Sequence, residues 1–278
     1  MDKKIIISRM KRSPFFLIGF VLTILVILLA IFGPMLATHD PLQNNLMDKL
    51  VAPGVNGYIL GTDQLGRDIF SRILTGARIS LLISFCVCIL SVIIGTILGL
   101  VSGYCGGMID AVIMRMCDVI LALPLIVITI ALVAVLGNTI PNLIIILTLL
   151  GWVEFCKLTR NNVLVVKNME FVSAIKVLGG KTNRILFKEI FPNVTTTLLI
   201  QMSLKFGNVI LTEASLSFLG LGIMQPTPSW GNMIADGRNY LAAFPWVCLV
   251  PGVALMVTIL AFNFLGDGLR DVLDPKRT

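Results

Sequence analysis

Charge is what this sequence has least of. Asp, Glu, Lys and Arg make up 13% of its 278 residues, against roughly 25% in a soluble domain. Apolar residues make up 56%, and the mean hydropathy is +0.95. Too little polar surface remains to cover a water-facing globule, so lipid is the solvent this composition fits. Histidine is nearly missing too, with His39 the single one. The six cysteines (Cys86, Cys88, Cys105, Cys117, Cys156, Cys248) lie scattered, without CxxC pairs or histidine partners. That spacing offers neither a zinc site nor a disulfide framework, and fits thiols used as small buried apolar groups. The net charge of +7 comes without a basic stripe interleaved with aromatics, which argues against nucleic acid as a partner. No cofactor or metal ligand set is indicated.

What the sequence has is long apolar runs. About 20 mostly apolar residues are needed to cross the hydrocarbon core as a helix, and six segments qualify. They run over residues 15–36, 79–101, 109–136, 143–166, 194–221 and 246–265. The first follows a basic start (Lys3, Lys4, Arg9, Lys11, Arg12) that resembles a signal peptide. Its apolar run from Phe15 to Phe32 is longer than the usual core of one, which favours a retained anchor. In the second span Gly95, Gly99 and Gly103 stand four apart on one face, a spacing that lets a neighbouring backbone approach closely.

Six spans put both termini on one side. The N-terminus, the turn at 102–115, the loop at 157–188 and the C-terminus together hold sixteen basic residues, whereas the loops at 38–78 and 224–245 hold five. Basic residues concentrate in cytoplasmic loops, so both termini are expected in the cytoplasm.

The loop joining the fourth and fifth spans, residues 168–192, is unusual. Phe171, Ala174, Ile175 and Leu178 recur at helical spacing, Gly179-Gly180 interrupts, and Ile185, Leu186 and Ile190 resume the spacing. Lys176, Lys181, Arg184 and Lys188 occupy much of the remaining surface. Two short helices around a glycine turn form either a knob for a soluble partner or an interfacial element lying on anionic lipid. Gly180-Lys181-Thr182 looks like the end of a phosphate-binding loop, but that loop needs a glycine five residues before Gly180, where Ile175 stands. ATP binding by this chain itself is therefore not expected.

The same loop resembles the coupling motif of ABC importer permeases, in which EAA is followed by glycine and then by Ile-x-Leu-Pro. Here Ser173, Ala174 and Ile175 take the first places, Gly179 the glycine, and Ile190 and Pro192 the end. Ser173 and Ile175 depart from the pattern. Other blocks resemble the oligopeptide, dipeptide and nickel permeases of that family, second-permease type. They are Leu60 to Asp68 with Ser71-Arg72 and Gly76 to Ser80, Glu213 to Gly222, Pro228 to Met233, and Ala261 to Asp271 with Leu273-Asp274-Pro275. The resemblance implies an all-α integral membrane fold of the type I importer class in a bacterial cytoplasmic membrane. It implies a homologous second permease, two ABC ATPase subunits and an extracytoplasmic substrate-binding protein as partners. Short peptides are the implied substrate, with nickel or a metal chelate as the alternative. Domain organisation is then expected as an anchor plus outer loop (1–75), a transmembrane core (76–270) and a tail (271–278).

Ionisable groups at membrane depth are costly and therefore informative. Arg115 and Asp118, three apart on the third span, are expected to pair across one turn. Glu213 is expected to make structural hydrogen bonds. Glu154 and Lys205, unusual for the family at their positions, are expected to compensate each other between the fourth and fifth spans. Asp63, Arg67, Asp68 and Arg72 repeat at four to five residues, which predicts a short charged helix at the outer surface. His39-Asp40 reads as a solvated loop pair, with contact to a metal substrate the other option. Two rival classes fit less well. A secondary transporter needs mid-membrane acids and repeated halves, and a membrane enzyme needs clustered His, Asp or Cys.

Overall fold

A computed structural model describes residues 9–11 and 13–273. Lys3, Lys4, Arg12, Asp274 and Pro275 fall outside them, as does most of the 271–278 tail. The described chain is helical, without a named strand. Its helices are α1 Pro14–Leu36, α2 Ile69–Cys105, α3 Gly107–Leu121, α4 Leu125–Leu136 and α5 Ile140–Val166. They continue with α6 Glu170–Val177, α7 Thr182–Phe218, α8 Trp230–Gly237 and α9 Trp246–Leu273.

The helix ends show why propensity alone misplaces spans. Ser13 caps α1, accepting from the Phe16 amide at 3.3 Å, and Pro14 takes the first turn, where its missing N–H costs nothing. α2 starts ten residues before the expected apolar run. Asp68 accepts from the Ser71 amide at 3.0 Å and launches a helix through Ser71–Arg78, where polar and apolar side chains alternate too closely to read as a span. At 37 residues α2 is about 55 Å long by the 1.5 Å rise, far more than the ~30 Å hydrocarbon core. The expected third span is not continuous: α3 and α4 bend by 86° at Ala122–Pro124. Pro124 supplies no amide and disfavours helical geometry at Leu123, so the helix ends there.

α7 likewise begins twelve residues before the expected fifth span. The second helix of the loop does not stand apart; it runs into the span. Ile185–Ile190 forms a π-helical turn, with the Phe191 amide bonded to Leu186 O. Pro192 follows at once, where a regular turn lacks an amide for Lys188 O. α9 extends eight residues past the expected end, through Asp267 and Arg270.

α2 and α5 pack most extensively, at the glycine face read from the sequence. A Cβ on Gly99 would sit 2.6 Å from Thr159 Cβ, and one on Gly103 2.8 Å from Val163 Cβ. Only glycine permits that approach. α1 lies outside, against α9 and α2, with Phe16, Gly19, Thr23, Val26, Ala30 and Gly33 facing inward. The rest of α1 is apolar and, apart from the half-buried Leu22 and Pro34, exposed, as a lipid-facing surface requires.

Candidate functional site

The loop after α5 is built from its ends. Lys167 Nζ donates to Gly103 O at 2.7 Å and ties the end of α5 to that of α2. Glu170 in the first turn of α6 and Lys176 in the last suit the helix dipole. α6 then stops in a Schellman turn: Gly180 N–H bonds to Ile175 O at 2.9 Å and Gly179 N–H to Lys176 O at 3.0 Å. Gly179 has φ of +78°, in the left-handed region that favours glycine. A cluster of Leu100, Phe155, Val163, Val166, Ile185, Leu186, Ile190 and Val194 seats this turn, and Val172 is the α6 residue buried in it. Lys176 Nζ lies 5.3 Å from the Tyr104 ring centre, a second tie to α2.

The outer side of the loop is apolar and open. Val177 is 87% exposed, Leu178 85% and Phe187 60%. Ser173 and Ala174 are exposed, Ile175 is half-buried, Ile190 is buried and Pro192 is exposed. The sequence-predicted docking residues thus divide. Ser173, Ala174 and Gly179 lie on the free face, while Ile190 holds the loop to the bundle. Val172 escaped the sequence reading, because helical spacing defines a face but not which way it points.

The expected Arg115–Asp118 pair does not form. Asp118 instead meets Lys157 Nζ of α5 at 3.0 Å, and Arg115 makes no ion pair among the described residues. The inter-helix partner wins because α3 lies alongside α5. Two turns earlier, Asp110 accepts from Arg160 Nε and Nη2 at 2.5 and 2.6 Å, and from Ser102 Oγ. This three-helix clamp was not foreseen. Glu213, buried in α7, accepts from Ser217 Oγ at 2.9 Å and Ser80 Oγ at 3.3 Å. Lys205 Nζ stands 3.0 Å from Glu154 Oε2, joining α7 to α5.

At the opposite end of the bundle the charged repeat is not a surface helix. Asp63 Oδ1 accepts from the Leu65 and Arg67 amides, and Gly66 has φ of +73°, so 63–67 is a closed turn. Arg67 Nε meets Asp63 Oδ2 at 2.6 Å, Arg72 Nε approaches it at 3.5 Å, and Arg67 Nη2 lies 3.7 Å from Asp236 on α8. Asp63, Arg67, Asp68 and Arg72 are all buried. Burial pushes the Asp236 carboxyl above the usual carboxylate range, while Arg67 and Arg72 pull it back. His39 faces Asp68 at 3.6 Å and stacks near Tyr58, with ring centres 4.8 Å apart; its neighbour Asp40 accepts from the Leu42 amide. The network clamps the 38–68 loop to α2 and α8.

Cavities open between the described helices. One of about 730 Å³ sits at this clamped end, lined by Gln64, Asn138, Gln225, Asp236, Arg238 and Tyr240 among others. Another, about 270 Å³, is a half-open cleft between α4, α5 and α7. All six cysteines are free thiols.

Membrane-length helices flanking a cleft, with a structured loop at one end, make a polytopic membrane permease. The chain belongs to the ABC importer permease family described as binding-protein-dependent transport system inner membrane components. The model of that family matches residues 95–278, and one described as the N-terminal TM domain of oligopeptide transport permease C matches residues 4–53. Among similar curated proteins, the oligopeptide transport system permease protein OppC of Bacillus subtilis is 41% identical. That match covers 96% of this chain and 88% of the relative. The dipeptide transport system permease protein DppC of Escherichia coli K12 is 43% identical, over 96% of this chain and 90% of the relative. A chain from inward facing conformations of the MetNI methionine ABC transporter superposes with a TM-score of 0.59 at 16% identity. It covers 73% of this chain and 97% of that one, and the likeness is one of fold.

Proposed function

We propose that this chain is one of two paired permease subunits of an ATP-driven importer of short peptides. The observation that carries the reading is identity of 41–43% over 96% of the chain to oligopeptide and dipeptide permeases. Nickel permeases share the sequence blocks, but the curated relatives reported above are peptide permeases.

In this reading the basic end faces the cytoplasm, as the lysine and arginine distribution favours. The exposed Ala174, Val177, Leu178 and Phe187 form the surface on which an ATPase subunit docks. The chain contributes no ATP site of its own: Gly180-Lys181-Thr182 leads from one helix into the next with no strand before it among the described residues, and Ile175 stands where a phosphate-binding loop needs glycine. An extracytoplasmic binding protein delivers substrate at the clamped end, and a homologous permease completes the path.

The loop's construction explains transmission. α7 continues from Thr182 to Phe218, so a push on the loop displaces one rod that carries Lys205 and Glu213. Val172 packs α6 against Ile185, Leu186 and Ile190 at the base of that rod, and Lys176 ties α6 to α2. Closure of the ATPases shifts the population between inward and outward arrangements through this lever.

The reading is tested by reconstituting the complex with its binding protein and ATPases in liposomes and following uptake of a radiolabelled dipeptide. ATP-dependent accumulation is expected. Uptake of Ni²⁺ without dipeptide uptake would overturn the substrate assignment.

A further inference from the structure

On α7, Gln201, Lys205, Asn208, Thr212 and Ser215 stand four, three, four and three residues apart, so they share one helical face. None is fully buried. Lys205, Asn208, Thr212 and Ser215 line the 270 Å³ cavity, together with Thr129 of α4 and Gly151 of α5. The Thr212 and Ser215 hydroxyls are satisfied by their own helix, at Asn208 O and Leu211 O. The Asn208 amide has no hydrogen bond among the described residues. Glu154, one turn beyond Gly151, closes the set by pairing with Lys205. The Lys205 side chain is 12% exposed and that of Glu154 42%.

Such a face does not belong against lipid. A charge near the bilayer centre costs about 2.5–3.5 kcal/mol on insertion scales, and α1 shows what lipid contact looks like here, with uniformly apolar exposed residues. The pair also differs from the other intramembrane acid. Glu213 is enclosed and bonded to serines, whereas Glu154 is nearly half open.

We propose that this face of α7 is the wall of the translocation path, and that Glu154 and Lys205 are exchangeable partners for a peptide in transit. The inference rests on the peptide reading above. A zwitterionic peptide carries one ammonium and one carboxylate; Glu154 takes the first and Lys205 the second, each replacing a partner it already holds. The internal pair keeps the two charges neutralised when the path is empty. The peptide therefore trades one set of ion pairs for another and meets no unpaired charge.

The test uses the assembled importer in liposomes. Asn208→Cys and Thr212→Cys are probed with a membrane-impermeant methanethiosulfonate, with Ile31→Cys on α1 as the lipid-facing control and labelling measured above the parent chain. Labelling at 208 and 212 that changes between the nucleotide-free and vanadate-trapped complex, with position 31 silent, is the expected result. Equal silence at all three positions would overturn the wall. The second arm is the double variant Glu154→Gln/Lys205→Gln, which removes both charges at nearly constant shape and so leaves neither unpaired. Radiolabelled dialanine uptake per assembled complex is expected to fall about tenfold, the equivalent of ~1.4 kcal/mol. Wild-type uptake in that variant would overturn the exchange. If the unmodified complex imports no dipeptide while the labelling pattern holds, the peptide reading fails and the wall stands.

Discussion

Replacing Arg67 by Met removes the central cation of the buried network that joins the 38–68 loop to α8. The structure fixes the expected size of the effect. Arg67 and Asp63 are both buried and their atoms meet at 2.6 Å, with Asp236 at 3.7 Å from the same guanidinium. Taking away the cation leaves Asp63 with Arg72, at 3.5 Å, as its one cation among the described residues beside the two backbone amides, and Asp236 without its nearest ion-pair partner. Breaking a buried pair on one side costs about 3–5 kcal/mol, because a charge remains without compensation. The remaining Arg72 places the expectation at the low end, ~3 kcal/mol, or roughly a hundredfold in the local opening equilibrium at ~1.4 kcal/mol per decade. Protease cleavage within 42–60, measured on the purified complex in detergent, reads that opening directly. The rise in cleavage should persist in high salt, since buried pairs are screened little. An Arg67→Met protein cleaved at the parental rate would refute the view that these charges lock the loop.

Other outcomes follow from the same geometry. Lys157→Ala should change stability by no more than ~1 kcal/mol, since its pair with Asp118 is largely solvent-exposed; a large drop in thermal midpoint would contradict that. Gly99→Leu forces a side chain into Thr159 and the α5 backbone and should cost at least ~1–3 kcal/mol, seen as a lower thermal midpoint. Gly252→Ala, whose added Cβ meets nothing within 4 Å, should leave that midpoint unchanged or slightly raised. Gly179→Val places a branched side chain at φ of +78°, costing roughly 1–2 kcal/mol locally. It should lower dipeptide uptake in liposomes while the amount of inserted protein stays constant.

Much of the bundle was legible in the sequence because a membrane imposes a simple rule: long apolar runs become spanning helices. The errors lie where that rule stops applying. Residues 69–78 mix apolar side chains with Ser71, Arg72, Thr75 and Arg78, yet the helix passes through them because Asp68 caps it and the buried network accepts Arg72. The stretch after Gly179-Gly180 looked like a separate short helix, but a π-helical turn carries the backbone past Pro192 into the span. Pro124 was visible as a residue, but the 86° turn it permits depends on how α3 and α4 pack. The candidate site was legible to a similar degree. Gly179 and Ala174 stood out by pattern, whereas Val172 did not, since only the surrounding core decides which face of α6 turns inward. The spacing of Asp63, Arg67, Asp68 and Arg72 was helical in number alone. The Asp63 side chain and the left-handed Gly66 close a turn there instead.

The central claim is that the exposed face of the 168–192 loop transmits ATPase motion to α7. Its most direct test is ATP-driven dipeptide uptake by liposomes carrying the complex with Ala174→Asp, compared with the unmodified complex. Ala174 is exposed and is not a member of the buried cluster beneath the loop, so the spans should insert and assemble as before. The account predicts uptake reduced to background with the amount of inserted permease unchanged. Parental uptake with Asp at 174 would contradict it.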